Sequence, residues 1–429
     1  MKQAHSAVMT GTFVSQNSEP ITPHLPIPRW EFVCMVAALM ALNAFAIDIM
    51  LPAMGVIGDH YSVPGNAQQN LLYAYMIGFG APQLLFGPIS DRYGRKTLLV
   101  LCILLYAVLA VACMSANSFN ALLVMRFVQG VFSSGIRVIA VSIVRDLSVG
   151  RRMASIMSLV MTVFMIVPIL APAIGQGVMM VAGWKWMFGV LGVAGFFMLF
   201  WVQIRLPETL KEEHRKSLSV SNTVDAFKSV LTTRATFGYM SASGVVFGAL
   251  FAFIASAEQI FEDVFHAGDR FAIWFAIIAG TLAIANFTNS KIVERFGMRR
   301  ISHAMLILFI ALSLINIGVM NFAGERLIYF LPLFALTFAC FGMLGSNFSA
   351  IALEAQGNVA GTASAVYGFA TTTVASGFGY LVSSQFSGSV TPILIGFAML
   401  GSLSLAIVII TERGLLFERA AIRGGKKRS

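Results

Sequence analysis

The sequence is poor in charge. Only 11% of its 429 residues are Asp, Glu, Lys or Arg, against about 25% in an ordinary soluble domain. Hydrophobic residues make up 58%, a share that the interior of a soluble fold does not accommodate. The scarcity of charge therefore argues against a soluble globular protein and indicates that lipid surrounds most of the chain.

Residues for metal binding, disulfides and catalysis are also scarce. The six histidines are scattered without metal-ligand spacing, and all four cysteines, Cys34, Cys102, Cys113 and Cys340, lie inside apolar runs. We interpret the cysteines as small buried hydrophobic residues. Because the sequence also contains no nucleophile–base pattern and no phosphate-binding loop, we expect neither enzymatic activity nor a bound cofactor or metal.

The charge that is present is mainly basic, with a net charge of +10. Such an excess can indicate nucleic-acid binding, but most Lys and Arg lie in short segments between apolar runs, as membrane insertion requires. We therefore expect no nucleic-acid partner. The first 28 residues are polar and contain prolines, which favours a cytoplasmic tail over a signal peptide.

Twelve apolar stretches are long enough to cross about 30 Å of hydrocarbon at about 1.5 Å per residue. The predicted fold is therefore an all-α polytopic membrane protein. The spans are predicted at 32–54, 68–88, 97–115, 119–144, 153–180, 187–206, 236–260, 269–289, 301–321, 327–351, 359–384 and 389–411.

The basic residues predict the orientation of these spans. With both termini in the cytoplasm, only three of the 29 basic residues fall in outer segments, and two, Arg126 and Arg137, fall within spans. The other 24 lie on the cytoplasmic side, as the positive-inside rule expects. Below, "inner" and "outer" mean the cytoplasmic and the opposite end of each span.

The longest polar interruption follows the sixth span and divides the chain into two halves. We predict a cytoplasmic tail at 1–28, a six-helix bundle at 29–206, a cytoplasmic linker at 207–235, a second six-helix bundle at 236–411 and a basic cytoplasmic tail at 412–429.

The two halves resemble each other in sequence. When Gly94 is aligned with Gly297, "SDRYGRK" lies over "VERFGMR", and both copies fall between the second and third spans of their half. Two related six-helix bundles are typical of secondary transporters, which bind substrate near the midplane between the halves. Met298 stands in the second copy where the first has Arg95, so we expect the charge network of this loop to belong to the N-terminal half.

Several motifs resemble those of a known family. "GPISDRYGRKTLL" at 87–99 resembles the helix 2–3 loop signature of the major facilitator superfamily, and the likeness covers nearly the whole chain. "RFVQG" at 126–130 is similar to the arginine motif of proton-driven members, and "PILAPAIGQG" at 168–177 to the antiporter motif of exporters. Further stretches are similar to the Bcr/CflA drug-resistance branch: "AIDIMLPAM", "IVRDL", "GWKWMF", "LPETL" and "AGTASAVYG".

The resemblance implies the major facilitator fold and a function. We expect a monomeric, multi-pass protein of the bacterial inner membrane that exports small amphipathic drugs or metabolites, similar to chloramphenicol or bicyclomycin, against protons. Its expected partners are a small-molecule substrate, protons and the lipid bilayer. The alternatives are an importer or facilitator of a sugar, organic acid or other metabolite on the same fold, and a membrane receptor or scaffold without transport.

Asp48 and Arg126 are candidates for proton coupling. A carboxylate within a span is costly and normally faces a cavity with a function. Asp48 lies about six residues, or roughly 9 Å, inside the outer end of its span, and Arg126 about seven residues, or roughly 10 Å, inside its own. A buried carboxylate near an arginine can exchange its proton when either influence changes. The alternative is a static buried pair that fixes helix 1 against helix 4.

Arg137 follows Arg126 by about three helical turns and projects from nearly the same face. Two interpretations are open. Arg137 either extends a polar lining that favours anionic or strongly polar substrates, or reaches toward the inner interface and stabilises packing.

The remaining candidates are lining residues and conformational residues. The substrate site is expected to include Asn43, Ile47, Asp48, Tyr73, Gln83, Arg137, Phe253, Asn347 and Tyr367. Among these, Asn43 and Asn347 are favoured, because an amide within a span needs a partner or water. Glu258 is interpreted either as a solvated loop-edge carboxylate or as part of a vestibule that attracts cations.

By resemblance, the helix 2–3 loop is a latch in which Asp91 and Arg95 form a charge network with Asp146 and lock the outward-facing state. The latch set is Gly87, Asp91, Arg92, Gly94, Arg95 and Asp146. Gly87 is expected to permit close helix packing and Gly94 the sharp reversal.

In helix 5, Pro168, Pro172 and Gly175 predict a bent and tightly packed helix that seals the interface between the halves. The alternative is a helix that is merely kinked.

Overall fold

The structure is a computed structural model, which describes residues 27–148, 150–210, 227–356 and 360–417. Within these ranges the chain folds into helices joined by short turns, without a strand. Most of the predicted tails and of the linker lies outside the described residues. The described part of the linker includes a short helix at 227–232.

Among the described residues, twelve helices, here α1–α12, cross the fold, and two of them are interrupted. In the N-terminal half they are α1 (Arg29–Asp48, continued by Met54–His60), α2 (Asn70–Gly80 and Gln83–Tyr93), α3 (Arg95–Cys113), α4 (Phe119–Leu147), α5 (Gly150–Ala182) and α6 (Lys185–Arg205). In the C-terminal half they are α7 (Arg234–Gln259), α8 (Phe271–Phe296), α9 (Met298–Ala323), α10 (Leu327–Leu353), α11 (Ala360–Ser383) and α12 (Thr391–Glu412).

The prediction of twelve helices in two bundles is confirmed, with differences at particular ends. Helix α1 stops at Asp48, because a 3₁₀ turn at Leu51–Ala53 that contains Pro52 interrupts it before Met54–His60. Helix α8 continues to Phe296, beyond the predicted end at residue 289. In both places the apolar run and the helix end at different residues.

Ten helical stretches among the described residues are long and apolar enough to span a membrane. The other two helices are exceptions with a physical cause. Helix α2 is broken at Ala81 and Pro82 into two pieces of 11 residues. Helix α11 is rich in Gly, Ser and Thr, which lowers its hydropathy and suits close packing against other helices.

Helix packing repeats between the halves. Helices α1 and α5 pack together as α7 and α11 do, α2 and α4 as α8 and α10 do, and α3 and α6 as α9 and α12 do. The halves meet along two equivalent seams, α5 with α8 and α11 with α2. The internal sequence repeat is therefore also a repeat of packing.

The two aligned loop glycines share one backbone conformation. Gly94 has φ 97° and ψ 147°, and Gly297 has φ 86° and ψ 145°. Each glycine ends one helix and begins the next. Since a side chain is strained at such positive φ, glycine permits this reversal in both halves.

Candidate transport site

The inner loop of the N-terminal half is organised around Arg95. This guanidinium is buried, and it forms ion pairs with Asp91 and, at 2.9 Å from Nε to Oδ2, with Asp146. It also donates a hydrogen bond to Ser90. The network thus joins α2, α3 and α4, and it contains the three charged residues that the resemblance implied. Arg92 lies outside it, with its guanidinium over the neighbouring ring of Tyr93.

A further carboxylate, which the sequence analysis missed, completes this loop. Glu208, just after α6, accepts hydrogen bonds from the backbone N–H of Arg95 at 2.9 Å and of Lys96 at 3.1 Å. These are unpaired donors at the start of α3, where a carboxylate is favoured. The motif "LPETL" therefore has a structural role at the foot of the bundle.

The inner loop of the C-terminal half has its own network, contrary to the expectation from Met298. Arg299 donates from Nε to Glu412 at 3.1 Å and from both terminal nitrogens to Glu354 at 3.2 Å. Glu412 also accepts a hydrogen bond from the hydroxyl of Tyr239 at 3.0 Å, and that hydroxyl lies 2.9 Å from Nε2 of His303. The prediction that the charge network belongs to the N-terminal half was wrong, because Arg299, which aligns with Lys96, forms a second network in the C-terminal half.

Two expectations for the N-terminal loop need correction. A Cβ atom on Gly87 would meet nothing within 4 Å, so this glycine does not serve close helix packing in this structure. The Arg95 network is complete although the outer ends of the halves are joined, as described below. Since these contacts lie within one half, their formation alone does not require the outward-facing state.

Arg126 lies inside the N-terminal bundle and is fully buried. Its Nη2 donates to the backbone carbonyl of Ala46 at 2.9 Å and its Nη1 to Oε1 of Gln129 at 2.7 Å. The guanidinium also lies over the ring of Tyr75, 4.3 Å from its centroid. Arg126 therefore attaches α4 to α1 through the backbone of α1.

Asp48 is the last residue of the first segment of α1, two positions after Ala46, and it is buried. Among the described residues its carboxylate makes neither a hydrogen bond nor an ion pair. The static ion pair with Arg126 that formed the alternative interpretation is thus absent from this structure. The carboxylate belongs to a residue two positions after Ala46, whose carbonyl accepts the hydrogen bond from Arg126. Among the described residues, no donor uses its two oxygens.

Helix α5 packs closely on the break after Asp48. A Cβ on Gly175 would lie 2.0 Å from the backbone oxygen of Ile49, so only glycine allows this approach. Gly175 therefore joins two helices of the same half, and it does not itself lie between the halves as expected. Its neighbour Gln176 does, since its Nε2 donates to the carbonyl of Asp269 at 2.8 Å. Pro168 and Pro172 lie inside α5, which stays continuous from Gly150 to Ala182.

Polar side chains close the outer side between the halves, a feature that sequence reasoning missed. Gln69 donates to Oε1 of Gln259 at 2.6 Å, and Gln259 donates to Oδ1 of Asn66 at 3.0 Å. Asn66 in turn donates to the carbonyls of Ser384 at 3.0 Å and Phe386 at 2.8 Å. These cross-half bonds form a closed outer gate.

A cavity of about 950 Å³ borders this gate and includes Gln176 and Gln259 in its wall. Five carboxylates but neither Lys nor Arg line it: Asp59, Glu258, Glu262, Asp263 and Asp269. Of the two interpretations of Glu258, the structure therefore agrees with a position in a vestibule.

The two favoured amides have partners in their own halves. Oδ1 of Asn43 lies 3.1 Å from the hydroxyl of Tyr75 and 3.3 Å from that of Ser133. Asn347 and Asn289 form a reciprocal amide pair at 2.9 and 3.2 Å. Both amides are buried, so in this conformation they hold helices together.

The other predicted lining residues divide between the seams and the cores. Tyr73 bonds Ser383 of α11 at 2.8 Å, and Gln83 packs against Gly368, so both lie between the halves. Phe253 is fully buried among three phenylalanine rings of its own half, and does not face a cavity here. Tyr367 donates to Ser243 within the C-terminal half at 2.8 Å. Ile47 is partly exposed on α1.

Arg137 is the remaining charge within a predicted span. Its guanidinium lies over the ring of Phe79, 5.6 Å from the centroid. In the described part of the chain it makes neither a hydrogen bond nor an ion pair, and it is partly exposed.

A comparison with sequence models of protein families finds a match over most of the chain. The sequence model of the Major Facilitator Superfamily matches residues 36–380. The chain belongs to this family. It is a multi-pass transporter of the bacterial inner membrane.

Individual relatives agree with this assignment. The chain is 31% identical over 348 residues to the "Uncharacterized MFS-type transporter YdgK" of Bacillus subtilis, covering 79% of this chain and 85% of that protein. It is 29% identical over 400 residues to the "Bicyclomycin resistance protein homolog" of Haemophilus influenzae, covering 90% and 97%. The xylose transporter XylE from E. coli, in a partially occluded inward-open conformation, shares the fold with a TM-score of 0.67 at 13% identity, over 90% of this chain and 98% of that one.

Proposed function

We propose that this transporter exports small amphipathic drugs or metabolites in exchange for protons. Its similarity to a bicyclomycin resistance protein homolog supports the export of drugs, and the antiporter-like motif of α5 supports exchange. Alternating access takes place by rocking of the two halves about the substrate, so the outer gate described above breaks once in each cycle.

The observation that carries the proton-coupling part is the environment of Asp48. Its carboxylate is buried and makes no bond to another described residue. It ends the first segment of α1, where the carbonyl of Ala46 holds Arg126 and where α5 packs on Ile49. A movement of α4 or α5 relative to α1 therefore changes both the charge near Asp48 and its access to water. Such a change moves a carboxylate between its protonated and ionised forms.

Asp48→Asn tests the proposal, because the amide keeps the size of the side chain but has no exchangeable charge. In inverted membrane vesicles carrying a proton gradient, we expect the variant to lose drug-dependent proton movement while its amount in the membrane stays normal. The readout is the dissipation of the gradient on addition of chloramphenicol or bicyclomycin, together with drug resistance of an efflux-deficient bacterium.

Glu294→Gln is the control, since Glu294 is an exposed carboxylate near the inner end of α8 and, among the described residues, belongs neither to the wall of the cavity nor to a loop network. It is expected to behave as the wild type. Equal transport by Asp48→Asn and the wild type would contradict the role of Asp48. Substrate movement into the cell down the proton gradient would instead support the importer alternative.

A further inference from the structure

We propose that Arg137, supported by the ring of Phe79, is the subsite for an anionic group of the substrate, and that the transported class includes amphipathic aromatic carboxylates. This inference rests on the proposed export function, because it names the substrate of that same site.

The first argument is that the N–H donors of Arg137 lack an acceptor among the described residues. A guanidinium has five N–H donors. Arg126 uses donors on Ala46 and Gln129, and Arg95 uses its donors on two carboxylates and a hydroxyl. In contrast, Arg137 has no acceptor among the described residues. An ionised group placed in a span without a partner is a sign of function.

The second argument is the direction of the side chain. Arg137 lies ten residues, or about 15 Å, from the inner end of α4 at Leu147. Its guanidinium contacts Phe79, which lies 14 residues, or about 21 Å, from the inner end of α2 at Tyr93. The charged group thus points toward the bilayer centre and away from the nearer aqueous surface. This is opposite to the direction expected of an arginine that reaches for the inner interface.

The third argument is the position of the α2 segment around Phe79, which lies at the seam between the halves. Its neighbour Gly80 packs against Thr372 of α11, where an added Cβ would lie 3.1 Å from the threonine methyl carbon. The seam between α2 and α11 is one of the two places where the halves meet. Because substrates of such transporters bind between the halves near the midplane, Arg137 lies where a substrate passes.

The charges around the subsite favour an anion. Asp48, in the same bundle, lies 19 residues, or about 28 Å, from the inner end of α1 at Arg29, well above Arg137. Asp146, nearer the inner end of α4, is already paired with Arg95. The ring of Phe79 covers one face of the guanidinium and leaves its edge free. That edge matches the two oxygens of a carboxylate, which it binds through parallel N–H donors.

The test compares matched aromatic acids and amides. Purified full-length protein is mixed near neutral pH with radiolabelled naphthylacetate or indoleacetate, and with the corresponding uncharged acetamides, and binding is measured by equilibrium dialysis. We expect the wild type to bind each carboxylate about tenfold more tightly than its amide, as two charge-assisted hydrogen bonds imply. Arg137→Gln should abolish this ratio, and Arg137→Lys, which keeps the charge but not the fork, should retain only part of it.

Arg145→Gln is the matched control, since Arg145 is an exposed arginine near the inner end of the same helix, and should keep the full ratio. Equal binding of acid and amide by the wild type, including no binding of either, overturns the inference. An unchanged ratio in Arg137→Gln overturns it as well. Because dialysis needs no proton gradient, a wild type that shows the ratio but moves no protons in the vesicle assay would contradict the proposed function and leave this subsite in place, so the two failures are distinguishable.

Discussion

The inner loops of the two halves share the backbone conformation of their glycines but differ in which charge is buried at the centre of the network. In the N-terminal loop the buried member is a cation. The Arg95 side chain is 3% exposed, whereas its partners Asp91 and Asp146 are 32% and 18% exposed. In the C-terminal loop the buried member is an anion, since Glu412 is 3% exposed and its partner Arg299 is 15% exposed.

The difference shows which part of the repeat is constrained. Gly94 and Gly297 keep the same reversal, and in both halves a glutamate at or just after the end of the sixth helix contacts the start of the third, Glu208 in one and Glu412 in the other. Each network pairs one arginine with two carboxylates, and the halves differ in which charge is buried. Each half thus fastens its helices at the inner end with a network of its own composition.

The largest expected effect is the loss of Arg299. Arg299→Met removes the arginine partner of the buried Glu412, and breaking a buried pair in this way costs about 3 kcal/mol. Arg95→Met leaves two carboxylates that water can reach, so we expect a smaller loss of about 1–2 kcal/mol. The measurement is the free energy of unfolding in mixed micelles titrated with SDS.

Arg300→Met is the control for this comparison, because the exposed Arg300 bonds only the backbone carbonyl of Phe417 among the described residues. It should cost less than about 1 kcal/mol. A larger loss for Arg95→Met than for Arg299→Met would contradict the inference that the buried charge is a cation in the N-terminal loop and an anion in the C-terminal loop.

A second test asks whether the two reversals are equivalent in energy. Gly94→Ala and Gly297→Ala each place a Cβ at a positive φ with an extended ψ, a conformation that costs a residue other than glycine about 1–3 kcal/mol. Since the two φ values differ by only 11°, we expect equal losses in the same unfolding titration. Gly280→Ala, on α8 where a Cβ meets nothing within 4 Å, should have little effect. Clearly unequal losses would show that the two turns, although alike in φ and ψ, differ in the strain that a side chain causes there.

The helices were predictable because the length and hydropathy of a segment indicate whether it can cross a membrane. The interruption of α1 was not, since Pro52 lies in an apolar run that continues past it. Helix α11 was predicted as an apolar stretch at 359–384, and the structure places a helix there although Gly, Ser and Thr lower its hydropathy. Local sequence therefore defines the spans better than it defines their ends.

The candidate site was less predictable, because its contacts join distant parts of the chain. Arg299 bonds to partners that lie 55 and 113 residues away along the chain. The sequence next to Arg299 therefore does not indicate them. The gate pair Gln69 and Gln259 is separated by 190 residues. Asn43 and Asn347 were correctly singled out as amides that need partners, but the partners proved to be side chains of their own bundles. The repeat alignment offered one usable signal, since it places Arg299 over the basic residue Lys96.

The smallest expected effect is a transplant of the N-terminal network into the C-terminal loop. The alignment places Met298 over Arg95 and Ser349 over Asp146. If the backbones are equivalent, Met298→Arg combined with Ser349→Asp forms a new pair, with a coupling of about 0.5–1 kcal/mol for a partly exposed site. The four unfolding free energies of the double-mutant cycle isolate this coupling from the cost of each single change. Pairing Met298→Arg with Ser346→Asp, one turn away on α10, is the control and should show no coupling. A coupling of zero for the aligned pair would mean that the helices beside the shared glycine turn have diverged, and that the repeat is confined to the turn itself.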